Sequence, residues 1–150
     1  MKRSYFIVAP AAIAVISWTI HESGSLIYFL DLLCVFFMIV LPLLMAMATY
    51  SPAEIVHCFV VAFRKEGADP AMIEKGIHFF SILRSYLTVT ALIAFMIGFI
   101  LIMSEAEDLS RIGPKGALSL VSIFYALALM LAVTIPFKAA LEKRKIQMGR

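Results

Sequence analysis

Charge is what this sequence has least of where it is most repetitive. Residues 5–20, 32–49, 86–103 and 117–137 contain no Asp, Glu, Lys, Arg or His. Over 150 residues only 15% are charged and 63% are apolar, with a mean hydropathy of +0.98, which is more apolar than a soluble domain of this length sustains. Cysteine is scarce too. Cys34 in an apolar run and Cys58 in a polar segment are the two present, and they exclude a disulfide framework. There is no glycine-rich phosphate loop, nucleophile elbow or paired-carboxylate site, so enzyme chemistry is not expected. His57, Cys58 and His78 lack metal-ligand spacing, and neither a metal nor another cofactor is expected. Basic residues flank the apolar runs instead of alternating with aromatics, which argues against a nucleic-acid partner.

What remains is an all-α integral membrane pattern in a single domain over residues 1–150. Each charge-free run has a length compatible with a hydrocarbon core about 30 Å thick, giving four expected transmembrane helices over about 5–20, 32–49, 86–103 and 117–137. The first follows a basic start with no small-x-small cleavage site before His21, so it is read as a retained helix with Trp18 at an interface. Residues 21–31 read as a turn around Gly24, and Pro42 in the second run predicts a kink. Cytoplasmic helices are expected over 51–84 and 138–150. Ser51-Pro52-Ala53-Glu54 opens one, with an apolar face of Ile55, Phe59, Val60 and Phe63. Glu66 to Pro70 breaks it, and Asp69-Pro70 begins another. No stop signal follows before residue 86, so the third span is expected to continue a cytoplasmic helix. Residues 104–116 read as a loop whose Glu105, Glu107 and Asp108 solvate it, and Pro136 reads as the close of the fourth span.

Eleven of the thirteen Lys and Arg fall on one side of this arrangement, in the N-terminal segment, in 51–84 and in 138–150, and Arg111 and Lys115 fall on the other. The positive-inside rule therefore places both termini in the cytoplasm. Ion paths through a bilayer need an ionisable group near the middle. This chain alone has none, so it is either a structural bundle or a wall around a titrating residue from another subunit. The spans do carry small and hydroxylic residues at helical spacing: Ala91, Ala94 and Gly98, then Ser119, Ser122 and Ala126. Close helix packing is the more economical explanation of that spacing, pore lining the alternative. Thr88, Thr90 and Thr134 have the further option of bonding to their own helices' carbonyls.

The hairpin from Ala91 to Arg144 resembles a known family. Ile97-Gly98-Phe99-Ile100, an acidic loop ending in Ile112-Gly113-Pro114, then Ser122-Ile123-Phe124-Tyr125-Ala126-Leu127 and Ile135-Pro136-Phe137 before a basic helix resemble, in order and spacing, the flagellar stator A subunits of the MotA/TolQ/ExbB proton-channel family. Gly24-Ser25-Leu26, Phe63-Arg64-Lys65 and Asp69-Pro70 extend the likeness upstream over nearly the whole chain. The resemblance implies a multi-pass protein of the bacterial inner membrane. It implies a homopentamer around two copies of a MotB/ExbD-like single-span subunit, whose intramembrane Asp carries the proton. Thr88, Phe95, Ser119, Ser122 and Ala126 would then line the pore or face the partner. Ala91, Ala94, Gly98, Tyr125 and Pro136 would pack the ring.

The same resemblance marks departures. The family's large cytoplasmic domain between spans two and three is mostly missing. Arg84 matches one of its basic rotor-contact residues, and also reads as a snorkelling interfacial arginine. Thr88 replaces a family proline, and Phe95 replaces the pore-side threonine of sodium-driven members while Ser122 keeps the hydroxyl of span four, so H+ is the expected ion. The implied function is conversion of ion flow into torque for flagellar motility. A TolQ/ExbB-like energiser of an envelope process and a non-conducting structural tetraspan subunit are the alternatives.

Overall fold

The computed structural model describes residues 5–22, 32–63, 69–104 and 109–148. Helices α1 (Tyr5–Glu22), α2 (Leu32–Met47), α3 (Pro52–Phe63), α4 (Pro70–Ser104), α5 (Leu109–Leu129) and α6 (Ile135–Met148) follow in order, with a π-helical turn at Met130–Thr134 joining the last two. No strand occurs among the described residues. Of the glycine-centred turn expected at 21–31, His21 and Glu22 instead end α1, and 23–31, like the acidic residues 105–108, lie outside the described residues.

Local chemistry sets the helix starts. Ser51 Oγ accepts from the Glu54 N–H at 3.3 Å while Glu54 Oε2 accepts from the Ser51 N–H at 2.8 Å. This is a reciprocal capping box that satisfies two orphan donors of α3. Asp69 Oδ1 accepts from Ala71 N–H at 3.3 Å, and Pro70 occupies the first turn, where its missing N–H costs nothing. From there α4 runs unbroken for 35 residues, about 52 Å at 1.5 Å per residue. That exceeds the hydrocarbon thickness by roughly 20 Å, so α4 must project beyond a bilayer it crosses, and its charged first half supplies the projecting part. Helix α4 and the run Ser119–Met148 are long and apolar enough to cross a membrane, and α2 with α3 is a third candidate, bent by 108° between its two pieces. The chain is therefore a membrane-embedded helical protein.

Two local expectations, for Ile112-Gly113-Pro114 and for the inward face of α3, are corrected. The helix itself runs on past Pro136, as expected of a helical tail, to Met148. Widening at Met130–Thr134, where Ile135 N–H donates to the Met130 carbonyl, displaces the preceding turn against which the proline ring would clash. Ile112-Gly113-Pro114 lies inside α5, which begins at Leu109, with only one turn of helix before the proline. The face that α3 turns inward is Ile55, Cys58, Val61 and Ala62, whereas Val60 and Phe63 are exposed.

Two cores hold the helices together. The first gathers Ala46 near the end of α2, Tyr50 just after it, the inward face of α3, Ile73, Phe79 and Phe80 of α4, and Phe137 and Leu141 of α6. Its rings meet edge to face or stacked, with Tyr50–Phe79, Phe59–Phe80 and Phe80–Phe137 centroids at 5.4, 5.2 and 5.4 Å, geometries that add to simple area burial. The second packs Met38 of α2 against Leu87 and Ala91 of α4, and Ala126 and Met130 of the α5 end. Arg144 of α6 ties the first core together. Its Nη1 donates to the Val61 carbonyl at 2.8 Å and its Nη2 to the Ala62 carbonyl at 3.3 Å, capping the last turn of α3 with a charge of the sign that its dipole favours.

Arg144→Ala is expected to lower stability by about 1–3 kcal/mol, since it strands acceptors in a packed helix end. Arg144→Lys recovers only part of this, because a single ammonium cannot span both carbonyls. Denaturation of the purified protein in mild detergent, followed by circular dichroism, measures both.

Candidate functional site

Helix α4 presents Leu87, Ala91, Ala94, Gly98 and Ile102 along one line, at helical spacing, toward α5. Helix α5 answers with Ser119, Ser122, Ala126 and then Met130. The approach is closest at Gly98, where an added Cβ would sit 2.7 Å from the Ser119 Cβ and 3.2 Å from its Cα. Small residues are what let two backbones come this near in a membrane, where packing rather than hydrophobic expulsion drives association. The antiparallel register then persists past the π turn. Thr88 Oγ1 lies 4.0 Å from Met130 Sδ, Phe80 stacks on Phe137, a Cβ on Gly76 would sit 2.8 Å from Leu141 Cδ1, and Lys145 Nζ reaches Glu74 Oε1 at 2.6 Å.

The hydroxyls of this seam are donors already in use. Ser119 Oγ donates to the Gly116 carbonyl at 2.8 Å, and Ser122 Oγ donates to the Ser119 carbonyl at 2.8 Å and lies 3.5 Å from the Ala91 carbonyl across the seam. Thr88 and Thr134 bond to the carbonyls four residues back, of Arg84 at 3.0 Å and Met130 at 3.3 Å. Among the described residues no buried side-chain oxygen or nitrogen is without a partner.

The sequence-derived residues divide into two sets. Ala91, Ala94, Gly98, Ser119, Ser122 and Ala126 come together on the seam, and Ser122 and Ala126 are 2% and 1% exposed. In one copy of the chain, Ser119, Ser122 and Ala126 therefore face α4 of the same molecule. The reason is steric: only small side chains fit where α4 and α5 touch. Thr88 and Phe95 sit at the edge of the seam, Thr88 still within 4.0 Å of Met130 Sδ. Thr88 is exposed and Phe95, stacked on Phe99 with centroids 6.1 Å apart, is half-buried. Tyr125 is half-buried beside Phe124 at 5.9 Å, Pro136 is half-buried at the start of α6, and Arg84 is exposed.

Outside the spans, an open cleft of about 250 Å3 is lined by Ala53, Glu54, His57, Cys58, Met72 and Lys75. The Lys75 ammonium hydrogen-bonds the Glu54 carboxylate and, with the Ser51 N–H, holds its pKa down to about 2, while Glu54 holds Lys75 above its ordinary value. Burial pushes the Cys58 thiol up. The cleft thus offers a closed ion pair and a protonated thiol, neither of which is a poised acid, base or nucleophile. Among the described residues no three His, Cys, Asp or Glu gather as a metal site. Sequence reasoning did not find the cleft, the Arg144 clasp or the π turn. Only the Ser51-x-x-Glu54 spacing signalled part of them.

No protein-family model and no curated protein matches this chain.

Gly98→Ala gains about 1 kcal/mol of helix propensity but forces the seam apart against backbone that cannot yield, an overpacking cost of about 1–3 kcal/mol. Net destabilisation is expected. Gly116→Ala, whose Cβ meets nothing within 4 Å, is expected to be neutral or stabilising by up to about 1 kcal/mol. Thermal unfolding of both variants in the same detergent checks the opposite signs.

Proposed function

We propose that this chain is the ring-forming A-type subunit of an ion-driven stator, resembling the MotA/TolQ/ExbB proton-channel family, and that it lies in a bacterial inner membrane. One observation carries the reading: the longest helices form a tight antiparallel hairpin whose spanning part bears no ionisable side chain. A conducting assembly built from it needs a titrating group from elsewhere, which a central single-span partner with an intramembrane Asp supplies. In this reading α1, α2, α4 and α5 give four spans with both termini cytoplasmic, and the projecting half of α4, with α3 and α6, is the cytoplasmic knot that transmits torque.

The division of residues refines the roles. Ser119, Ser122, Ala126, Ala91 and Gly98 set the spacing of the hairpin, and Thr88 and Phe95, at the edge of the seam, meet the partner helix. Proton passage suits this arrangement better than sodium. The seam hydroxyls are spent on carbonyls, and Phe95 offers no oxygen ligand for a dehydrated cation. A TolQ/ExbB-like energiser of an envelope process is the second reading. What favours it is how little lies between α2 and the charge-free half of α4: α3 and a few turns of α4, with Arg84 as the sole candidate for rotor contact.

Purification of the tagged chain from its native membranes in mild detergent, followed by native mass measurement, tests this. Five copies with two copies of a protein having one Asp-bearing span are expected. Phe95→Asp, placing a like charge beside that Asp, is expected to abolish proton flux without changing the copy number. A monomer or dimer without such a partner leaves the structural-tetraspan reading in its place.

A further inference from the structure

The geometry points to a seat for the headgroup of an anionic phospholipid at the base of the hairpin, formed by Arg84, Ser81 and Lys138. Arg84 and Lys138 are the first charged residues of α4 and α6 beyond the charge-free part of the hairpin, so the antiparallel register brings them to the same end of it. Ser81 links them: Lys138 Nζ lies 3.4 Å from Ser81 Oγ, and Ser81 is one turn from Arg84 on α4. This is the flank of α4 that α3 leaves open, because α3 covers the opposite one through Lys75–Glu54 and Phe79–Phe59.

The charge balance of these residues is positive. Arg84 is exposed and makes no ion pair among the described residues. Lys138 is half-buried, and its one carboxylate, Glu142, stands 3.8 Å away and is more exposed than the lysine. Above Lys138 the outer face of α5 and the π turn is an apolar stripe of Leu127, Leu131 and Ile135, exposed by 59%, 54% and 45%. A stripe that fits acyl chains and ends on two cations and a hydroxyl, where the spans end, has the shape and charge order of a phospholipid. The arginine fork takes two phosphate oxygens, the ammonium and hydroxyl a third. A zwitterionic headgroup brings its own cation and gains less, so net negative charge selects the ligand. The seat lies one turn below Thr88, and its chains run along α5.

Native mass spectrometry of the delipidated full chain, titrated with equal amounts of dioleoyl phosphatidylglycerol and dioleoyl phosphatidylcholine, reads this directly. Retention of phosphatidylglycerol over phosphatidylcholine is expected. Arg84→Gln with Lys138→Gln should weaken phosphatidylglycerol binding by about thirtyfold, from the loss of two interfacial cations. Arg84→Lys with Lys138→Arg, which keeps both charges, should retain most of it and shows that the loss is not misfolding. Equal binding of the two lipids, or unchanged phosphatidylglycerol binding by the double glutamine variant, overturns the proposal. So does displacement of the lipid by glycerol 3-phosphate at matched concentration, which would make the seat a site for soluble phosphate.

Discussion

The contact of Gly98 with Ser119 sets the geometry that everything else follows. Once α4 and α5 touch at a point where no Cβ fits, the positions along both helices are fixed in register, and each later pair meets as a consequence: Ala91 with Ser122, Thr88 with Met130, Phe80 with Phe137, Gly76 with Leu141. The π turn at Met130–Thr134 is best understood as the adjustment that lets this register continue through Pro136. An interior proline costs about 3 kcal/mol. Burial of Phe137 and Leu141 against α4 contributes about 3–6 kcal/mol in compensation, and the widened turn removes part of the clash. The helix therefore continues through the proline that ends the apolar run.

That balance explains what the amino-acid sequence made legible and what it did not. Local signals were readable because their physics is local. Ser51 and Glu54 cap α3 from three residues apart, Asp69 and Pro70 open α4, and the lack of any stop after Ala71 correctly implies one helix through residue 104. Signals that depend on distant partners were not. The π turn and the packing of Phe137 on Phe80, 57 positions earlier in the chain, carry no local signal, and Arg144 reaches carbonyls of α3 that no spacing rule connects to it. For α3, apolar residues occur around most of the helix, so the sequence alone picked Val60 and Phe63 where the bend after α2 selects Cys58, Val61 and Ala62.

The candidate site shows the same boundary. Small residues at helical spacing were visible in the sequence, yet spacing alone does not say which neighbour they accommodate. Within one chain, Ser119, Ser122 and Ala126 accommodate α4, with Thr88 and Phe95 at the edge of the contact. A hairpin whose apolar part lacks Asp, Glu, Lys, Arg and His can shape a path through a membrane but cannot relay ions unaided.

The most direct test of the continuous antiparallel seam is disulfide trapping on both sides of the π turn in a chain lacking Cys34 and Cys58. Cysteines replace Ala91 with Ser122 in one variant and Ser81 with Lys138 in another, and the cross-linked peptides are identified by mass spectrometry. Both pairs are expected to form intramolecular disulfides in membranes, whereas Ala91 paired with Lys138 should not. Cross-linking of the first pair without the second would show that α6 parts from α4 beyond Pro136 and would contradict the single seam on which the fold and the proposed sites rest.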